Sequence, residues 1–104
     1  MKRRIKMNKF IILQTGYETP TDEIMENYGK WFASIQDKIV DMSTLGKGRE
    51  ITKSGTKKLS MDLESITGFL VINAENIDEA VKIAESSPII TNVRVYEAMS
   101  MEGH

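Results

Sequence analysis

Phe10-Ile11-Ile12-Leu13 and Phe69-Leu70-Val71-Ile72 are the longest uninterrupted apolar runs in the chain, and how they are read decides the fold. Each run is bounded by polar residues or glycine and is rich in aromatic and β-branched side chains, which describes a short strand. Successive side chains of a strand point to opposite faces, so four apolar residues in a row make both faces apolar. Interior strands of a sheet have that property. These two runs are therefore expected at the centre of a sheet, with more polar strands beside them.

The remaining segments fit around that centre. Lys9 to Thr15 forms the first strand and stops at Gly16. Thr19-Pro20-Thr21-Asp22 reads as a helix start, with Thr19 as the cap and Pro20 at the first helical position. Ile24, Tyr28, Trp31, Phe32, Ile35 and Ile39 then recur in steps of three and four, which predicts one apolar helix face ending between Lys38 and Met42. After the glycines of Leu45-Gly46-Lys47-Gly48, Arg49–Lys53 and Thr56–Met61 read as a polar hairpin around Ser54-Gly55. Thr67–Asn73 is the second apolar strand. Asn76 opens a second helix, Glu79 completes its capping box, and Ser86-Ser87-Pro88 ends it. Asn92–Met99 alternates Val93 and Val95 with Arg94 and Tyr96, a last strand with one wet face.

The order strand–helix–hairpin or strand–strand–helix–strand is that of a split βαβ domain, a ferredoxin-like βαββαβ α+β fold with a four-stranded antiparallel sheet. Two helices cover one face of such a sheet. The other face of the central strands would remain apolar and open, so a homodimer packed sheet to sheet is expected.

Composition sets the outer limits. The 104 residues suffice for one domain with one core, and 40% of them are hydrophobic. The domain is expected over residues 8–101. Residues 1–7, with Lys2-Arg3-Arg4 and Lys6, read as a solvated basic leader expected to be disordered, and 102–104 as the remnant of an expression tag. A net charge of −1 argues against a dedicated nucleic-acid partner. No apolar run approaches a bilayer crossing, so no membrane partner is expected either. There is no cysteine and no secretory hydrophobic segment, which makes the cytoplasm the default compartment.

Candidate chemistry is sparse. His104 is the only histidine and falls in the tag-like end, so a serine or threonine nucleophile has no histidine base within the domain. Gly46-Lys47-Gly48 lacks the spacing and the following Ser or Thr of a phosphate-binding loop. Asp37 and Asp41, expected one turn apart on the first helix, read as a solvated helix face in preference to a cation site, and no metal or cofactor is expected. Trp31 reads as core or as the wall of an aromatic pocket between helix and sheet. Tyr17 and Glu18 follow the first strand, where sheets often place ligand contacts, and the polarity of a loop accounts for them equally well. Arg49 and Arg94 are isolated cations suited to a substrate carboxylate or to a surface or dimer salt bridge.

Tyr28-Gly29-Lys30-Trp31-Phe32, Ile35-Gln36-Asp37-Lys38-Ile39-Val40-Asp41 and Leu45-Gly46 resemble the YCII-related proteins. The second half resembles them as well: Gly68-Phe69, Ala74, Ile77-Asp78-Glu79-Ala80, Ile83-Ala84, Pro88 and Val93-Arg94-Val95. The likeness spans about Asn8 to Met101. It implies a dimeric α+β barrel with a pocket between sheet and helices, and a His–Asp pair proposed as catalytic in some members. Asp37 stands in the place of the acid, and the domain has no histidine to pair with it. The resemblance carries Asp37 as a catalytic acid–base residue, with Trp31 and Asp41 as ligand contacts. Two functions follow as expectations: a small-molecule enzyme with an acidic general base in the sheet–helix pocket, or a non-catalytic dimeric domain that binds a small ligand or serves as an accessory.

Overall fold

A computed structural model of the chain describes residues 7–99. The basic leader through Lys6 and the tag-like residues 102–104 lie outside the described residues. Strand β1 (Asn8–Thr15) leads to helix α1 (Asp22–Ile35), a 3-10 turn (Gln36–Lys38) and strand β2 (Ile39–Thr44). The hairpin strands β3 (Arg49–Thr52) and β4 (Gly55–Lys58) come next, followed by β5 (Ile66–Ala74), helix α2 (Ile77–Glu85) and β6 (Asn92–Glu97). β2, β5, β1 and β6 form a four-stranded sheet in that order, and every pair in it is antiparallel. Two helices and this strand order make a mixed α+β arrangement compatible with a ferredoxin-like fold.

The two apolar runs lie where their pattern requires, on the two central strands. Phe10 pairs with Ile72, Ile11 with Val71, Ile12 with Leu70 and Leu13 with Phe69. Partners across a ladder share a face, so the runs divide into two sets. Phe10, Ile12, Leu70 and Ile72 are fully buried beneath the helices. Ile11, Leu13, Phe69 and Val71 stand on the opposite face and are half-buried. Trp31 and Ile35 of α1 and Ala80, Ile83 and Ala84 of α2 complete the core. The Trp31 indole N–H donates to the Ile83 carbonyl (3.2 Å) and to Ser86 Oγ (3.0 Å), joining the two helices. A buried Trp needs such a partner, and α2 supplies it at its C-terminal turn.

Three expectations are corrected. The cap of α1 is Thr21 and not Thr19: its hydroxyl accepts from the Ile24 amide at 3.1 Å, which brings Asp22 and Glu23 into the first turn beside the free amides. The helix stops at Ile35 and does not run on past Lys38. Ile39 does face the core, four residues beyond Ile35, but it does so from a strand, paired with Ile72 on the margin of β5. That ladder outweighs the helical spacing. Asp37 and Asp41 consequently share no helix face, since Asp37 belongs to the 3-10 turn and Asp41 to β2. Finally, the Arg49–Lys58 hairpin forms a separate two-stranded sheet, and β2 flanks β5 in its place. The Asn76 cap is as expected, with its side chain accepting from the Glu79 amide at 2.9 Å.

The two-layer packing makes opposite demands on two glycines. Gly16 has φ +115°, and a Cβ there would meet Thr91 Oγ1 at 2.6 Å and the Thr91 amide nitrogen at 2.9 Å. Gly29, within α1, has open space at the same position. Gly16→Ala is expected to lower unfolding free energy by more than about 1 kcal/mol. Gly29→Ala is expected to raise it by about 0.5–1 kcal/mol through helix propensity. Urea denaturation of the two variants tests both signs.

Candidate functional site

β1 ends at Gly16, and the chain must cross from the sheet to α1 through Tyr17–Pro20. α1 presents its apolar stripe to the sheet, but the stripe is not uniformly packed. Trp31 and Ile35 are buried in the core, Tyr28 and Phe32 are half-buried, and Met25 is 62% exposed. The N-terminal half of the helix therefore stands off from the sheet. Beneath it lies a cavity of about 510 Å³, walled by Ile24, Tyr28 and Phe32 of α1, Gln14 of β1, and Leu45 and Met61 from the segments beyond β2 and β4. Tyr28 and Phe32 stack with ring centroids 5.9 Å apart. Glu18, in the crossing loop, is the one charged residue in the lining among the described residues.

Polar groups in this apolar setting are few and distinct. Gln14 extends over Gly68, where a Cβ would come within 2.7 Å of Gln14 Oε1, so the glycine makes room for the amide. Gln14 Nε2 is buried and has no hydrogen-bond partner among the described residues. An unpaired buried amide costs on the order of 1–3 kcal/mol, and such groups concentrate where something other than packing is served. Burial also raises the Tyr28 hydroxyl above the ordinary tyrosine value of about 10. At neutral pH it is a proton-bearing donor at the cavity wall.

Trp31, Asp37 and Asp41 are placed in three different surroundings. Trp31 is 4% exposed, with its N–H bonded to α2. Asp37 lies in the turn that precedes β2, its side chain 81% exposed and 4.0 Å from the Lys38 ammonium. Asp41 is on β2 opposite Val71, on the sheet face away from the helices, and its Oδ1 accepts from the Met42 amide at 2.8 Å. None of the three lines the cavity. The cavity opens near Thr44, at the far end of β2 from Asp37, a separation of about 20 Å along the strand. Proton transfer by a desolvated carboxylate has no such carboxylate at Asp37. Tyr17 and Glu18, in contrast, do line the cavity. The role of Gln14 had no local signal, because a polar residue near the end of a strand is ordinary until Gly68 is seen beneath it.

Asp41 owes its position to a bulge. Ile39 pairs with Ile72 and Asp41 with Val71, so Val40 is an extra residue in β2. Without it Asp41 would fall on the helix-covered face. Among the described residues no three His, Cys, Asp or Glu side chains converge as a metal site, and no helix is long and apolar enough to cross a membrane. Comparison with protein-family models and with curated proteins finds no match for the chain.

The raised Tyr28 pKa has a defined consequence for stability. Its folded value exceeds its unfolded one, so its stabilising contribution is complete below pH of about 10 and declines as pH rises through the folded value. Ultraviolet titration is expected to show a late tyrosinate phase that Tyr28→Phe removes. The same variant is expected to flatten the loss of stability above pH of about 10.

Proposed function

We propose that the chain is a non-catalytic, small-ligand-binding homodimer of the YCII-related kind, acting in the cytosol. The observation that carries this reading is the cavity under α1, about 510 Å³ with largely apolar walls. Sites of this size and character suit a modest organic molecule. A neutral or cationic ligand suits this lining, since among the described residues Glu18 is its charged side chain and no cation offsets an anion. Tyr28 supplies a hydroxyl donor, and a rotation of the Gln14 amide would present its unpaired nitrogen to a ligand oxygen. The acid–base alternative centred on Asp37 lacks comparable support, since that carboxylate is exposed and remote from the cavity.

Nile red, a neutral dye whose fluorescence rises in apolar surroundings, tests the cavity. Binding is expected in the wild-type chain and at least about tenfold weaker in Gly29→Leu, which adds bulk at a lining position where a Cβ meets no neighbour and leucine suits the helix. Dye binding unaffected by that filling would overturn the reading.

Dimerisation draws support from the open sheet face. Ile11, Leu13, Phe69 and Val71 form its apolar centre, Asp41 stands at the β2 margin, and Arg94, opposite Leu13, at the β6 margin. A two-fold axis parallel to the strands lays β2 over β6 of the second copy and brings unlike charges together. An axis across the strands would set Asp41 over its own counterpart. The parallel axis is therefore the one proposed. Asp41→Arg and Arg94→Asp are each expected to weaken self-association by about tenfold, and the double variant to recover most of the loss. Sedimentation equilibrium distinguishes this from a face indifferent to charge.

A further inference from the structure

The β3–β4 ribbon is unlike the rest of the molecule. Every residue of both strands is exposed, and neither strand packs substantially against another helix or strand. The radius of gyration, 16.0 Å, exceeds the roughly 13 Å of a compact domain of this length, and the ribbon is the element that stands apart from the two packed layers. A two-stranded ribbon is marginal in water unless something packs on it.

Its charge is also distinct. Lys47, Arg49, Lys53, Lys57 and Lys58 face a single acid, Glu50, between Gly46 and Leu59. Elsewhere in the described chain carboxylates outnumber cations by more than two to one. The strand register divides the ribbon into unequal faces. On one face Glu50 and Lys57 are opposite each other and paired at 3.1 Å. On the other, Arg49 lies opposite Lys58 and Ile51 opposite Thr56. Like charges directly across a ladder repel, and among the described residues neither cation has an ion-pair partner. Ile51, next along the same face, is 77% exposed. This face combines two uncompensated cations with an uncovered branched side chain, and both deficits are met by one kind of surface: acidic, with an apolar spot.

We propose that the β3–β4 ribbon is a docking arm whose Arg49–Ile51–Lys58 face lies on the acidic body of a second copy of this chain. The charge distribution selects that occupant. A nucleic acid or an anionic bilayer that met the ribbon would also meet the acidic body behind it, whereas a second copy offers carboxylates to the arm. The contact is additional to pairing through the open sheet face and presupposes that two copies associate.

The absence of cysteine makes the test direct. Ile51→Cys introduces a single thiol, which is labelled with a benzophenone maleimide and irradiated at concentrations where light scattering reports a dimer. Crosslinks to acidic segments of a second copy are expected, as shown by mixing isotopically light and heavy chains. They should fall at least about fivefold between low salt and 0.5 M NaCl, and likewise in Arg49→Glu/Lys58→Glu. Both sites are exposed, so circular dichroism should show the fold retained. A dimer whose crosslinks are absent, confined to one chain, or indifferent to salt and to charge reversal would overturn the arm while leaving the sheet-face dimer in place. A monomer at all concentrations would overturn both. Binding of a single-stranded RNA oligomer or of phosphatidylserine vesicles, lost in the charge-reversed variant while self-association is unchanged, would reassign the arm to that partner.

Discussion

The antiparallel ladder between β1 and β5 is the contact on which the other elements depend. It pairs the two apolar runs in register and sorts their side chains into two sheets of hydrophobic surface, one on each side of the backbone. The set made by Phe10, Ile12, Leu70 and Ile72 is what α1 and α2 cover, and these are the largest fully buried side chains of the core. A shift of one residue in this register would exchange the faces and leave the helices without a core. The outer strands take their positions from the same ladder, β2 along β5 and β6 along β1.

Two consequences follow on opposite sides of the sheet. On the covered side, the helices meet each other through Trp31, whose N–H bonds fix α1 against the end of α2. That attachment is made in the second half of α1. The first half carries only its own cap at Thr21, a bond within the helix, and the space beneath it is the cavity. On the open side, Ile11, Leu13, Phe69 and Val71 are left without a covering layer. One ladder thus underlies both the cavity and the face proposed for a second copy. Its two-sided apolar character is the ground for proposing that two copies pair.

Much of this was legible in the residues. The two apolar runs, the polar hairpin, the capping box of α2 and the alternation of β6 are local patterns, and local patterns survive folding when tertiary contacts reinforce them. The errors cluster between Gln36 and Thr44. Ile35 and Ile39 satisfy helical spacing whether or not a helix continues, and the competing signal was only the β-branched pair Ile39-Val40. The same boundary decides where the two candidate carboxylates stand. Placing Asp37 and Asp41 on one helix joined two carboxylates that the bulge at Val40 and the 3-10 turn in fact direct to different places. Tyr17 and Glu18 follow the end of a central strand, where ligand contacts and ordinary loop polarity leave the same local pattern, and only the packing of α1 places them at a cavity.

The sequence by itself determined the class of the fold, its central strands and the apolar character of both their faces, because these depend on periodicity and on the transfer of apolar surface from water. Tertiary structure alone decided which strand flanks β5, where α1 stops, and that Gln14 rests over Gly68 beside a cavity. Each of those outcomes depends on contacts between residues far apart in the chain: Ile39 with Ile72, Trp31 with Ile83, Gln14 with Gly68. A local pattern contains no term for such contacts, and near a helix end they are comparable in strength to the propensities they override.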